Sequence, residues 1–184
     1  MMRVARVRVD DRLIHGQVVV KWLRYLDCKQ ILIVDDELWR DDFMQSVLRL
    51  AAPSDVRVHV APVRQAAKLL QSSTLEAMSR HPSGEASSNG HGVLVLLRSP
   101  QTALALLDNG FLFSELNIGA LAAGEGTTRL YKSISANSEQ IAALRAMQDR
   151  GVRIYSQMVP EEHPVEMSEL LPVRQPQCEG PSVQ

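Results

Sequence analysis

A histidine and an arginine lie close together where a strand-like segment gives way to a helix-like one, in the run Arg8-Val9-Asp10-Asp11-Arg12-Leu13-Ile14-His15-Gly16-Gln17-Val18. At such a junction an α/β protein presents side chains beside free backbone N–H groups and the positive end of a helix dipole. Arg12 adds a fixed cation whose fork-shaped guanidinium commonly pairs with phosphoryl groups. Gly16 allows the backbone to approach a ligand without a Cβ. These residue types in this order predict a histidine that holds an anion.

The elements that must position this histidine follow an alternating pattern. Short β-branched runs are separated by helical patterns, which predicts βαβ units and a mostly parallel sheet covered on both faces. The predicted strands lie at 4–9, 31–34, 56–60, 93–97, 116–118, 130–134 and 152–155. Because open α/β sheets bind ligands outside the carboxyl ends of their strands, several loops are expected to converge on His15: Asp35-Asp36, Ala61-Pro62, Arg98-Ser99 and Gly119-Ala120.

Apolar residues recur at helical spacing in two segments. Both stripes are predicted to face the core, and Trp22 and Trp39 are core candidates. The first stripe contains Val18, Val19, Trp22, Leu23 and Leu26, and the second contains Trp39, Phe43, Val47 and Leu50. A last helix is predicted from Asn137 as N-cap, Gln140 in a capping-box position and Gly151 after the final turn.

Composition limits the class of protein. The chain has 184 residues, of which 45% are hydrophobic, enough for one domain without disulfides. Its 20 basic and 21 acidic residues give a net charge of −1, which does not favour nucleic acid as a partner. Cys28 and Cys178 are far apart and lack metal-ligand spacing, as expected in a reducing cytosol. The charged N-terminus and the lack of an 18-residue apolar run predict a soluble cytoplasmic protein.

Two segments are predicted to lie outside the packed core. Residues 73–91 lack sustained periodicity and are dense in turn formers, which predicts a loop insertion. The segment 172–184 contains Pro176 and Pro181 among polar residues, which predicts a disordered tail.

The His15 run begins an ordered series of motifs. It is followed by Val34-Asp35-Asp36-Glu37, then Leu116-Asn117-Ile118-Gly119, then Gly151-Val152-Arg153-Ile154 and Met158-Val159-Pro160. The series resembles the mannose/fructose/sorbose family of IIB components of the bacterial sugar phosphotransferase system. The resemblance implies a domain over residues 1–165 with a three-layer α/β/α fold and a mainly parallel sheet of about seven strands. Family members cross the region of the 73–91 insertion with far fewer residues.

The resemblance also implies a phosphotransferase activity. His15 would take a phosphoryl group, on its Nδ1 atom, from a phosphohistidine of the IIA protein or domain. It would pass the group to a sugar as the membrane IIC and IID subunits translocate it. Arg12 would hold the phosphoryl oxygens, with support from Asp11, Gly16, Gln17 and Ser99. No metal or organic cofactor is implied, the protein would associate peripherally with the membrane subunits, and a homo-oligomer is left open.

Other roles remain open for several of these residues. Arg12 also has Asp10 or Asp11 as ion-pair partners, and Asp11 suits a loop-fixing hydrogen-bond acceptor better than a general base. Asp35 and Asp36 most simply cap the helix that starts near Glu37, and Ser99 caps the helix that starts at Pro100.

Several histidines and serines are interpreted as structural. His59 lies inside a predicted strand, and His81 and His91 lack the partners of a metal site. Ser133 and Ser135 alternate along one strand face.

The sequence also allows two functions other than the phosphocarrier. The long loop and the tail are compatible with a regulatory protein of the same fold that relays phosphorylation state without transport. A hydrolase is disfavoured because neither cysteine has a placed base and no serine lies in a nucleophile elbow.

Overall fold

The computed structural model describes residues 3–71 and 92–172. Within these ranges the chain forms nine strands: β1 Val4–Asp10, β2 Cys28–Val34, β3 Arg57–Ala61, β4 Gly92–Leu97, β5 Glu115–Ala120, β6 Thr128–Tyr131, β7 Ile134–Ala136, β8 Arg153–Ser156 and β9 Val165–Glu166. It also forms six helices and a short 3-10 helix Leu38–Arg40: α1 (a π-helical turn Val18–Trp22 continued by Leu23–Tyr25), α2 Asp42–Ala51, α3 Val63–Gln71, α4 Pro100–Asp108, α5 Ser138–Asp149 and α6 Met167–Leu170. The predicted insertion at 73–91 and the tail after residue 172 lie outside the described residues. No helix within the described ranges is long and apolar enough to cross a membrane.

Seven strands form one sheet in the order β3-β2-β4-β1-β5-β8-β9. All neighbours pair in parallel except β8 and β9, which are antiparallel. The predicted seven-stranded, mainly parallel sheet is therefore confirmed, but the identity of its seventh strand was wrong. The predicted strand 130–134 is broken at Lys132, where φ is +22°, and its two parts belong to the separate hairpin β6-β7.

Helices cover both faces of this sheet, as predicted. Ile31 and Ile33 point to the face covered by α1 and α2, whereas Leu32 and Val34 point to the face covered by α3, α4 and α5. Because side chains alternate along a strand, the continuous apolar run of β2 fills both cores. All four of these side chains are fully buried.

The apolar stripe of α1 is buried as predicted, whereas the stripe of α2 is not. Val18 and Trp22 are fully buried, and Leu23 is nearly so. Trp39 was wrongly interpreted as a core residue, since it is 44% exposed and Phe43 is 75% exposed. The helix α2 instead buries its opposite side, which includes Leu48. Periodicity located the helix but not the side that packs on the sheet.

The chain direction changes beside β1. The connection after β1 passes to the α1 side of the sheet, whereas the connections after its neighbours β4 and β5 lead to helices on the other side. Diverging connections open a crevice at the carboxyl ends of the strands, which is where open α/β sheets bind ligands. The loop from Asp10 to His15 therefore begins at this crevice.

Candidate functional site

His15 lies directly before the first turn of α1. Its carbonyl oxygen accepts the Val19 N–H at 3.0 Å, so the first N–H groups of the helix have no partner within the helix. The imidazole Nδ1 lies 2.9 Å from the carbonyl oxygen of Leu13, a residue with φ +54°. The side chain is 18% exposed, so part of the ring is accessible at this helix end.

The Asp10 carboxylate lies beneath the imidazole and is fully buried. Its Oδ2 is 3.7 Å from His15 Nε2, and Nε2 itself is buried without a hydrogen-bond partner among the described residues. Arg12 donates to both carboxylate oxygens, from Nε to Oδ1 at 3.0 Å and from Nη2 to Oδ2 at 3.2 Å. Of the two partners considered for Arg12, the ion pair is thus with Asp10. The hydrogen bond to Asp10 raises the pKa of Arg12.

Arg8 holds the same carboxylate from below. Its Nη2 donates to Asp10 Oδ2 at 2.8 Å, and the Arg8 side chain is also fully buried. Nη1 donates to Asn117 Oδ1 and, at 2.9 Å, to the carbonyl oxygen of Gln157. The guanidinium lies 5.0 Å from the Trp22 ring. Burial is the largest influence on Arg8 and lowers its pKa, while Asp10 opposes that effect.

Gly119 explains how two charged side chains fit inside the sheet. A Cβ at this position would overlap the guanidinium of Arg8 and Oδ2 of Asp10. The glycine of the Leu116-Asn117-Ile118-Gly119 motif therefore makes room for the buried ion pair. The sequence indicated Asp10 only as a possible partner of Arg12 and Gly119 only as part of a loop near His15, and it did not indicate a role for Arg8. The available signal was two charged residues, two positions apart, on one face of a strand predicted to be buried.

Asp11 ties the His15 loop to the segment after β5. Its Oδ2 accepts the Ala122 N–H at 2.7 Å, which is the loop-fixing contact predicted for it. The two segments border an open cleft of about 450 Å³ next to Arg12. Residues 120–123, one acidic residue, three basic residues and two serines line this cleft, the polar residues being Asp11, Arg12, Arg129, Lys132, Ser133 and Ser135.

The remaining candidates occupy different places. Gln17 Oε1 accepts a long hydrogen bond of 3.5 Å from Arg12 Nη2. A Cβ on Gly16 would meet no protein atom within 4 Å among the described residues, so the space beside it is open. Ser99 accepts the Thr102 N–H and caps α4 as predicted, and its hydroxyl lies 3.1 Å from the Thr102 hydroxyl.

The two acidic residues after β2 cap different helices. Asp35 accepts the N–H groups of Glu37 and Leu38, as predicted. The cap assigned to Asp36 was wrong, since its carboxylate accepts the Val63 N–H at the start of α3. The local sequence did not reveal this contact because Val63 is brought alongside Asp36 only when β2 pairs with β3.

Other reactive residue types lie elsewhere. His59 is in β3 as expected, and burial lowers its pKa. Burial raises the pKa of the Cys28 thiol to about 12, so this cysteine stays protonated and is a poor nucleophile. Within 3–71 and 92–172, no three His, Cys, Asp or Glu side chains cluster as metal ligands would.

The chain is similar to proteins of one family over nearly its whole length. Residues 4–180 match the family described as the PTS system sorbose subfamily IIB component. The sorbose-specific EIIB component of Lacticaseibacillus casei is 30% identical over 153 residues, covering 83% of this chain and 85% of that protein. The mannose-specific EIIAB component of Escherichia coli K12 is 27% identical over 170 residues, which are 92% of this chain and 49% of that longer protein.

Solved structures agree with the sequence match. The IIB domain of the sorbose permease from Klebsiella pneumoniae superposes with a TM-score of 0.78 at 27% identity, covering 91% of this chain and 95% of that one. Proteins of this kind are phosphotransferases in general. The chain therefore belongs to the sorbose subfamily of IIB components of the sugar phosphotransferase system.

Proposed function

We propose that this protein is a phosphocarrier that accepts a phosphoryl group on His15 from a phosphohistidine of a IIA protein or domain. It passes the group to a sugar during uptake through membrane IIC and IID subunits, at the cytoplasmic side. The observation that carries the proposal is the arrangement of His15 at a helix start, with the Asp10 carboxylate behind its ring and the Arg12 guanidinium beside it.

The surroundings of the imidazole favour Nδ1 as the phosphorylated atom. Nε2 is buried and faces Asp10 Oδ2, so an incoming phosphorus atom has no path to it. Nδ1 lies on the side of the Leu13 carbonyl and becomes available once the ring gives up that contact. In transfer, the N–P bond of the donor breaks as a bond from Nδ1 to phosphorus forms. Because a carbonyl oxygen only accepts, Nδ1 carries the ring proton in its contact with Leu13, and attack by Nδ1 requires the tautomer in which that proton has moved to Nε2. Asp10 Oδ2, which lies 3.7 Å from Nε2, then stabilises the positive charge of the phosphorylated ring.

Arg12 is oriented for phosphate while it remains bound to Asp10. Nε and one Nη2 hydrogen bond engage the carboxylate, and Nη1 has no hydrogen-bond partner among the described residues. The Arg12 side chain is 43% exposed. Nη1 is therefore able to contact a phosphoryl oxygen without breaking the ion pair, and a preoriented cation of this kind stabilises charge in the transition state.

Three further features favour a dianionic group at this position. The first N–H groups of α1 follow His15 without partners within the helix and carry the positive end of the helix dipole. Space beside Gly16 is open. The neighbouring cleft contributes Arg129 and Lys132, although Lys132 also lies 3.7 Å from Glu162.

The proposal is tested by incubating the purified chain with a phosphorylated IIA protein and mapping the modified residue. We expect one phosphohistidine, acid-labile and alkali-stable, at His15. A His15→Ala variant should accept no phosphate, while a His59→Gln variant serves as the matched control and should be labelled normally. Undiminished labelling of His15→Ala would overturn the assignment.

A further inference from the structure

Four large apolar side chains lie in solvent along one side of α2 and the turn before it. We call Trp39, Phe43, Val47 and Leu50 the outer stripe. Their exposed fractions are 44%, 75%, 41% and 86% in that order. Spacings of four and three residues place Phe43, Val47 and Leu50 on one face of α2, and Trp39 precedes them in the turn before the N-cap Asp41. Contiguous exposed apolar residues of this size mark an interaction surface more often than single ones do.

The outer stripe lies on the side of α2 that is not buried against the sheet. None of its residues is among the buried or partly buried side chains of the two hydrophobic cores, while Gln45 and Leu48 are buried on the opposite side of α2. The outer stripe also lines no part of the cleft next to Arg12. Its apolar character therefore needs an explanation apart from folding and phosphoryl transfer.

We propose that the outer stripe is the interface with a second copy of this chain, packed as an antiparallel pair of α2 helices about a two-fold axis. Asp42 and Arg49 are both exposed and lie on the same flank of the stripe, seven residues or two turns apart. In an antiparallel pair, Asp42 of one chain lies opposite Arg49 of the other, and the two-fold axis repeats the contact. A parallel two-fold pair would place these flanks on opposite sides of the interface and would not bring Asp42 and Arg49 together.

The same charges argue against a lipid surface as the occupant. A helix that lies on anionic lipid carries Lys and Arg along its polar face. The first turn of α2 instead presents the carboxylates of Asp41 and Asp42. Antiparallel packing also brings the negative end of each helix dipole near the positive end of the other.

One helix per chain is a small interface beside the roughly 1,200–2,000 Å² of stable complexes, so we expect a weak, concentration-dependent dimer. Sedimentation velocity over a concentration series should show reversible dimerisation of the full chain. Phe43→Asp buries a carboxylate in the stripe twice per dimer and should weaken association by about tenfold or more. Leu112→Asp, at a residue 81% exposed outside the stripe, is the control and should associate as the wild type does.

A charge-swapped mixture tests the antiparallel geometry itself. Asp42→Arg alone and Arg49→Asp alone each place like charges in contact and should dimerise less than the wild type. An equimolar mixture of the two variants restores opposite charges at both contacts and should form heterodimers. Circular dichroism checks that each variant folds.

Several results would overturn the proposal. They are a wild-type chain that stays monomeric throughout, a dimer indifferent to Phe43→Asp, and a mixture no more associated than its components. Phe43-dependent binding to vesicles containing anionic lipid, by a chain that is monomeric in solution, would assign the stripe to a membrane surface instead. Phosphate acceptance by His15 is measured in parallel, and its outcome is independent of these results.

Discussion

Charged side chains are buried beneath His15, whereas large apolar side chains are exposed along α2. Arg8 and Asp10 have no exposed surface, yet every oxygen of Asp10 is held by an arginine and Arg8 reaches further acceptors on Asn117 and Gln157. Phe43 and Leu50 are 75% and 86% exposed. Beneath His15, hydrogen-bond and ion-pair partners inside the chain offset the cost of burying Arg8 and Asp10. Along α2, Phe43 and Leu50 remain largely exposed to solvent. The buried charges support the proposed phosphoryl site, and the exposed apolar side chains support the proposed dimer interface.

The largest effect is expected from breaking the buried pair. Arg8→Met leaves Asp10 buried with only Arg12, and loss of one partner of a buried ion pair costs about 3–5 kcal/mol of unfolding free energy. Arg153→Met is the matched control, because Arg153 pairs with Glu115 and Glu166 on the surface and should contribute only about 1 kcal/mol. Urea denaturation of both variants measures the difference. Equal losses would contradict the special role of the buried pair.

Substitutions at two glycines should distinguish an effect on packing from an effect on phosphoryl transfer. Gly119→Ala forces a methyl group into Arg8 and Asp10 and should lower stability by about 1–3 kcal/mol. Gly16→Ala meets no protein atom, so its stability should change by less than about 1 kcal/mol while phosphoryl transfer to His15 slows. Thermal unfolding and rapid-quench labelling measure the two effects. A wild-type transfer rate in Gly16→Ala would remove the proposed role of that open space.

Arg12 binds Asp10 of the buried pair and is the proposed contact to the phosphoryl group. Arg12→Lys replaces a planar fork with a compact ammonium that cannot bind Asp10 and phosphate with the same geometry. We expect phosphoryl transfer to slow by about tenfold or more, which corresponds to about 1.4 kcal/mol of transition-state stabilisation. Rapid-quench measurement tests this, and an unchanged rate with reduced stability would make Arg12 a structural residue only.

His59 shows what happens to a buried titratable group without the partners of Asp10. Its Nε2 is buried with no hydrogen-bond partner among the described residues, and burial lowers its pKa. An unfolded histidine binds a proton at about pH 6.5. As the pH falls, the unfolded chain therefore protonates at this position before the folded chain does. The unfolding free energy should therefore fall as the pH drops through this range. His59→Gln should flatten that dependence in urea titrations, and an unaltered slope would assign it to other groups.

The smallest effect on stability is expected at the outer stripe. Phe43→Ser removes no contact with either core, so the unfolding free energy of the monomer should change by less than about 0.5 kcal/mol. Leu48→Ala, on the buried side of the same helix, should cost about 2–5 kcal/mol. Denaturation at a concentration below dimerisation measures both. A large loss in Phe43→Ser would mean that the stripe packs within its own chain.

Much of the fold was predictable because its signals are local. β-branched runs located the seven-stranded sheet apart from β9, which is only two residues long. Asn137 and Gln140 form the predicted capping box, and Gly151 ends the helix with φ +83°. The failures were positions where two segments had to meet. The helix stripe facing the core, the break at Lys132 and the cap formed by Asp36 all depend on neighbours distant in sequence.

The candidate site divides in the same way. The amino-acid sequence by itself determined that a histidine, an arginine and a glycine stand at a strand-to-helix junction, because residue type and spacing are properties of one short run. Only the tertiary structure decided that Asp10 pairs with Arg8 and Arg12, that Nε2 of His15 is enclosed, and that Gly119 leaves room for the pair. These facts depend on β5 lying beside β1 and on the segment after β8 supplying carbonyl oxygens. Distance between side chains from separate strands is set by sheet order, which no single run of residues contains.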